Sequence, residues 1–470
     1  MGVLMKRFLR LLLLSTFLLS CSLVDELVYE DEGDSTPPEV VVVEPENEDD
    51  DETPLVTSTV SELESSSPLI SGGSSLLRDF ALPNPLFAPD SAWNQTAVDA
   101  AVLPQSDEQI LVTYRVLLGD ISDLEGYDES SPPWPYMDIN IDEYSIPIFR
   151  AGELMQNVVI CLDEGILGWP HPKFGIETEG GPVPIPVPAG IVRPSGPEDD
   201  DADGHMVLYD PATFIAYDLF GVTVEGQGRP GDCDSFSGGM TGYQITEIRE
   251  ADFFDVRGPG VNADGLSSAR AHGTPLLAGM ILPEDIESGV IAHALALAIP
   301  GPRNLSRDPY EPLASDYFYP ASTTETDFYN INPDALAAGQ RIRLKQTLVD
   351  EDGEALDENQ FAPITRIFLA ALRDYGAYNV DNAGGFSFYA EDMHTAVLNL
   401  SDDEVNALIS QPPGTPLVEE MTKWEIVMES LGEDLGRIPF AISPGDDEPD
   451  PETAMVEAAN FEVVEPAARP

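Results

Sequence analysis

Apolar and polar positions recur along this chain with two distinct periods. Alternation with period two runs through Ala294-Leu295-Ala296-Leu297-Ala298-Ile299, where small and large residues take turns, and through Arg341-Ile342-Arg343-Leu344-Lys345. Such alternation sends successive side chains to opposite faces of a strand. His205 to Leu208 and Phe214 to Phe220 read as two more strands, and Tyr209-Asp210-Pro211-Ala212-Thr213 between them predicts a hairpin connection. Helical spacing predicts a helix over 107–118, opened by a capping box in Ser106-Asp107-Glu108-Gln109 and stopped by Gly119. A second helix is predicted over 363–375, with Pro363 in its first turn, Ile364, Ile367, Phe368, Ala371, Leu372 and Tyr375 on one face, and Gly376 as its stop. Ser401-Asp402-Asp403-Glu404 caps a third, through Ile409, and short helical turns are expected at Pro283-Glu284-Asp285-Ile286 and after Pro333. With 42 prolines and 38 glycines spread between short strands, the expected fold is mainly β, a sandwich or barrel-like domain carrying a few peripheral α-helices. There is no internal repeat, and no strand-helix alternation long enough for a doubly wound sheet.

The ends differ from the middle. Residues 1–20 place Lys6, Arg7 and Arg10 around an apolar run ending in Leu18-Leu19-Ser20-Cys21. That run falls short of the roughly 20 residues a bilayer-spanning helix needs, and it suits the core of a signal peptide. It resembles the precursors of bacterial lipoproteins. The resemblance implies cleavage before Cys21, lipidation of its sulfur and a membrane partner reached through that lipid, since two acyl chains anchor far better than one. Ser22, where an Asp would signal retention at the inner membrane, points to the outer membrane of a bacterial cell envelope. The alternative is an ordinary cleaved signal in which Cys21 is incidental. Residues 21–77 are rich in Asp, Glu, Ser, Pro and Thr, including Glu46-Asn47-Glu48-Asp49-Asp50-Asp51-Glu52, and read as a disordered acidic tether. A β-rich globular domain is expected over 78–443, and an acidic, proline-rich, solvated tail over 444–470.

Charge narrows the partners. The chain holds 85 acidic against 22 basic residues, a formal net charge of −63. Nucleic acid is excluded as a partner on this ground, because binding it relies on basic side chains displacing counterions from phosphates. An acidic, lysine-poor surface suits salty surroundings, where self-repulsion is screened within a few Ångström. A calcium-binding surface is the competing reading. Beyond the signal only Lys173, Lys345 and Lys423 remain as lysines. If Cys21 carries lipid, Cys161 and Cys233 form an even pair, bridged as a disulfide or both free.

Candidate chemistry is sparse. Alternation puts Arg341, Arg343 and Lys345 on one strand face, a cationic stripe that could take a carboxylate or sulfate of a polysaccharide, or else pair with Asp350, Glu351 and Asp352. The histidines are His171, His205, His272, His293 and His394, none at metal-ligand spacing, so no metal is expected. Asp203-Gly204-His205 sets a histidine beside carboxylates, which suits general acid or base work. His272 in Ala271-His272-Gly273 is a similar case. Asp381 follows a helix stop and a strand-like stretch, in a place where loops carry function, and Tyr375 and Tyr378 near it could stack on a sugar or act as acids. Asp138 to Asp142 and Asp350 to Glu354 are acidic runs like those of calcium loops, but neither fits the twelve-residue EF-hand pattern. No cofactor is expected, with calcium the one left open.

These residues together resemble a family of secreted bacterial proteins, itself largely uncharacterised. The likeness is carried by Ala92-Trp93-Asn94, by Asp203-Gly204-His205 through Asp210-Pro211, and by His272-Gly273-Thr274-Pro275-Leu276-Leu277-Ala278-Gly279. It continues through Pro283-Glu284 to Gly289, Ile291, His293-Ala294-Leu295, Gly339, Arg341, Arg343-Leu344, Ala371-Leu372, Tyr375-Gly376 and Asp381, and spans about 85–395. The resemblance implies an extracytoplasmic domain in a carbohydrate-facing context. Some members carry a histidine after a Trp-Pro-Ala, whereas here Tyr319-Pro320-Ala321 runs on to Ser322 and Thr323.

The expectation is therefore a lipid-anchored envelope protein that binds or processes a surface or extracellular polysaccharide. As a lyase it would use His205 or His272 with a tyrosine and the cationic stripe, and as a hydrolase paired carboxylates such as Asp203 and Asp381. The alternative is a non-enzymatic surface, adhesion or envelope-assembly lipoprotein.

Overall fold

The alternation at 294–299 reads out in space as two differently built faces of one central sheet. The computed structural model describes residues 82–467 except 121, 126–133, 143, 151–154, 161–172, 174–181, 187–202, 225–244, 249, 264, 267, 307–312, 314, 325–328, 351–352 and 441–459. Cys21, Cys161 and Cys233, the signal and the tether thus lie outside the described residues. All described residues fall in one unit of the chain, Ile70–Pro470.

Ten strands carry the core. In chain order they are β1 (Trp134–Asn140), β2 (Ile148–Arg150), β3 (Met206–Asp210), β4 (Ile215–Phe220), β5 (Glu250–Asp255), β6 (Leu295–Ile299), β7 (Arg341–Leu344), β8 (Ala377–Asn382), β9 (Gly385–Tyr389) and β10 (Phe461–Val464). A six-stranded mixed sheet has the order β10-β7-β8-β6-β9-β1, with β6/β8 and β9/β1 parallel and the other pairs antiparallel. A four-stranded sheet has the order β5-β4-β3-β2, parallel only at β2/β3. Other strands make a further four-stranded sheet and a two-stranded one, and among the described residues no sheet closes into a barrel. Strand residues outnumber helical ones, so the fold is mainly β.

Five α-helices accompany the sheets: α1 (Ser106–Leu117), α2 (Pro283–Ser288), α3 (Pro363–Asp374), α4 (Asp402–Leu408) and α5 (Lys423–Leu435). On one face of the central sheet Leu295, Leu297 and Ile299 join Phe386, Phe388 and Ile342 in a cluster with Ile110 of α1, Phe368 and Leu372 of α3, and Trp424 and Leu431 of α5. On the other face Ala294, Ala296 and Ala298 join Tyr378 and Val380 in a cluster with Val207, Tyr209 and Ala216 of the four-stranded sheet. Large side chains reach across to helices, while alanines let backbone come close. Gly279 shows how close. Its carbonyl accepts the Ala296 N–H at 2.8 Å, its φ is +73°, and a Cβ there would stand 2.4 Å from the Ala296 nitrogen. Only glycine fits both the left-handed backbone and the contact.

Three expectations need correction. Ser106 does not cap its helix: the N-cap is Gln105, and the Ser106 hydroxyl instead accepts the Val463 N–H at 2.8 Å. The tail expected from 444 onward is not solvated throughout, because Phe461–Val464 is β10, paired with β7 and largely buried. Phe461, Val463 and Val464 were apolar positions hidden by the acidic composition around them. Asp381 lies within strand β8 rather than on a loop. Helix α5 adds to the helices expected. Thr422 and Glu425 form its capping box, and Trp424, Val427, Met428, Leu431 and Leu435 face inward.

Candidate functional site

Asp203, Gly204 and His205 stand where β3 begins, and backbone bonds from Gly221 to Asp203 and from Val222 to Gly204 tie them to the end of β4. The hairpin expected from the sequence thus forms, and the strand sends the His205 ring inward. Its Nε2 lies 2.8 Å from the Ala269 carbonyl, so that nitrogen carries the proton. Nδ1 is then an acceptor and faces the Asp203 carboxylate at 3.9 Å, too far for a hydrogen bond. Burial pulls the imidazole below its ordinary pKa, against the opposing pull of Asp203. The His205 side chain is 5% exposed and that of Asp203 is 47% exposed, so the carboxylate is the part of this pair that meets solvent.

The residue after Ala269 links this corner to the central sheet. Arg270 is fully buried and donates to the carbonyls of Pro275 at 2.9 Å, Ala278 at 3.0 Å and Leu276 at 3.1 Å, holding the turn that ends in Gly279. Its guanidinium lies 4.6 Å from the centre of the Tyr389 ring. Tyr389, on β9, donates its hydroxyl to Asp381 Oδ2 at 3.4 Å. Burial, with the Asp381 and Asp203 carboxylates, holds the Tyr389 phenol well above its usual pKa, so it stays a donor. The structure therefore brings Asp203, His205 and Asp381 into one electrostatic neighbourhood with Arg270 and Tyr389. These last two were not singled out from sequence. The scarcity of arginine and lysine in the chain was the signal that could have drawn attention to Arg270.

The remaining expected site residues are elsewhere. Arg341 is 1% exposed and donates through Nε to the Tyr375 carbonyl at 2.6 Å, and through its other nitrogens to the carbonyls of Gln95 and Thr96. Arg343 pairs with Glu462 at 2.5 Å and donates to the carbonyls of Ala97, Val98 and Ala100. The cationic stripe is thus not an open binding face. Arg343 has an acidic partner beside it on β10, because β10 supplies an adjacent strand that the sequence reading lacked; Glu351 and Asp352 of the acidic run expected to pair with the stripe lie outside the described residues. Lys345 continues past β7, where its backbone N–H donates to the Asn460 carbonyl. Tyr378 is fully buried, edge-on to Trp93 at 5.1 Å and beneath Arg341, so it offers no face to a sugar. Tyr375 ends α3, half-buried, as the acceptor for Arg341. His272 is shut in completely, with Nδ1 3.3 Å from the Asn379 carbonyl, and burial pushes its pKa down to about 3. A ring that stays neutral and sealed cannot exchange protons with a substrate.

Buried charge also gathers at a place the sequence did not suggest. Asp218 on β4 is fully buried, accepts the Leu276 N–H at 2.6 Å, and is pushed up to about 8, first by burial and further by Asp252. Lys173 pairs with Asp252 at 2.7 Å. Among the described residues no group of three or more His, Cys, Asp or Glu is arranged to hold a metal ion, and no helix is long and apolar enough to cross a membrane. No protein-family model matches the chain, and neither a curated protein nor a solved structure does.

Proposed function

We propose that this is a lipid-anchored protein of the bacterial cell envelope, related to the secreted family it resembles, that binds a neutral polysaccharide through a two-sheet, sandwich-like domain. Nucleic acid is not among its partners. The observation that carries the choice of a neutral glycan is the engagement of Arg341 and Arg343 by main-chain carbonyls and Glu462. An acidic polysaccharide would meet a chain of net charge −63 without those cations to receive it. A lyase also needs a cation at the uronate carboxylate as the α-proton leaves, together with a histidine that titrates. At the corner formed by Asp203, His205, Tyr389 and Asp381, the exposed Asp203 carboxylate is the group that can accept from sugar hydroxyls, while Asp381 and Tyr389 are buried and bonded to one another.

The purified full chain, run in native gels containing hydroxyethylcellulose, dextran, galactomannan or alginate, tests this reading. Retardation by a neutral glycan and none by alginate is expected, and no retardation by any of the four sinks it. Release of reducing ends would add hydrolysis, and new absorbance from double bonds would restore the lyase. One observation favours the non-enzymatic envelope-assembly alternative: His272 and Arg341, both among the residues that carry the resemblance, bond to backbone carbonyls and so build the fold.

A further inference from the structure

A second group of polar side chains, on the segments before β2 and after β9, has features the first corner lacks. Asp392 is fully buried, and its two oxygens are divided between two partners. Oδ2 accepts the Ser145 hydroxyl at 2.5 Å, and Oδ1 accepts both His394 Nδ1 at 2.9 Å and the His394 N–H at 2.7 Å. The imidazole is thereby fixed in tautomer and orientation, yet its side chain is 36% exposed. Its Nε2 is the edge left to act outward. Asp392 also raises the pKa of His394, with Asp142 and Glu425 adding to that pull. Among the described residues, these three carboxylates are the charged groups that act on the ring from the segments around it. Beside Ser145 stands Tyr144, 42% exposed with φ +56°, a backbone conformation that a tyrosine adopts only at a cost. Ser145 donates to both the Asp142 carbonyl and Asp392, so the turn that strains Tyr144 is pinned to the carboxylate that orients His394.

We propose that Tyr144 and His394 form a subsite for a neutral sugar residue, resting on the carbohydrate reading above. The aromatic face takes the apolar side of a pyranose ring, and His394 Nε2–H donates to one of its hydroxyls. A donor and an aromatic ring on two segments joined through Ser145 and Asp392 fit a polyol. The carboxylates repel a polyanion, and the imidazolium repels a cation.

The test uses the full chain and the same glycan-containing gels, with Tyr144→Gly, Tyr144→Phe, His394→Gln and Asp203→Asn. Tyr144→Gly removes the ring while relieving the left-handed strain, so loss of binding is not loss of fold, and circular dichroism checks this. Affinity for the retarding neutral glycan should fall by about tenfold or more in Tyr144→Gly and His394→Gln. Tyr144→Phe should keep it, and the retardation of the parent chain should weaken as pH rises through the His394 titration. Unchanged retardation in both Tyr144→Gly and His394→Gln overturns the subsite while leaving the proposed function standing, and loss in Asp203→Asn would then place binding at the first corner. No retardation of the parent chain by any neutral glycan overturns both.

Discussion

Asp218 on β4 stands directly across the antiparallel ladder from Asp252 on β5, and both side chains are buried. Two carboxylates so placed cannot both ionise cheaply, and Lys173 sits on Asp252. Asp218 therefore holds its proton, up to about pH 8. Its folded pKa lies above its unfolded one, so the folded state binds the extra proton between them and stability falls as pH rises from about 4 toward 8. Asp218→Asn keeps the acceptor for the Leu276 N–H and removes the titration. The variant should be more stable than the parent at pH 8 by about 1–3 kcal/mol and no more stable at pH 4, read from urea midpoints.

His293 and His272 should give pH effects of opposite sign. His293 places Nδ1 3.0 Å from the Ala294 carbonyl and Nε2 3.2 Å from Asp285 Oδ2. Two acceptors require a proton on each nitrogen, and the pKa is raised by Asp285 in spite of burial. Its contribution is complete below the unfolded value of about 6.5 and is lost as pH rises through the folded value. His272 is held neutral, so its contribution is complete above about 6.5 and is lost as pH falls toward 3. Thermal melts of His293→Gln should therefore lose about 1 kcal/mol relative to the parent at pH 6 and much less at pH 9.

Arg341→Met should destabilise by about 2–4 kcal/mol, because the carbonyls of Gln95, Thr96 and Tyr375 lose their buried donor. Arg341→Lys should recover only part of this, as an ammonium cannot spread donors as a guanidinium does. Glycan retardation should be unchanged in whatever fraction folds. A selective loss of binding in folded protein would return the cationic stripe to the site.

Gly279→Ala should cost about 3 kcal/mol or more, since the added methyl meets the backbone of β6 in a left-handed conformation. Gly289→Ala is the control. It has φ +75° with nothing near its Cβ, and should cost about 1 kcal/mol. Equal losses in the two variants would mean that backbone strain, not the contact with β6, governs both.

Local pattern was enough for several elements. The Ala-Leu alternation at 294–299, the proline-started helix from 363 and the hairpin around Asp210-Pro211 all rest on residues a few positions apart, and each forms. The Thr422/Glu425 capping box and the apolar spacing that follows it were equally local, and α5 was legible from them. By contrast, Phe461–Val464 finds its partner more than a hundred residues earlier, and its acidic surroundings conceal it.

The chemistry divides in the same way. Sequence alone established that Arg341 and Arg343 share a strand face, that the hairpin opens at Asp203-Gly204-His205, and that cations are scarce, because periodicity and composition are properties of the chain itself. Only the tertiary structure decided that the arginine face turns onto main-chain carbonyls and Glu462, that His272 is sealed, and that Arg270 and Tyr389 bridge His205 to Asp381. Burial and hydrogen-bond partners depend on segments brought together from far along the chain, and they determine whether a charged side chain supports the fold or meets a ligand.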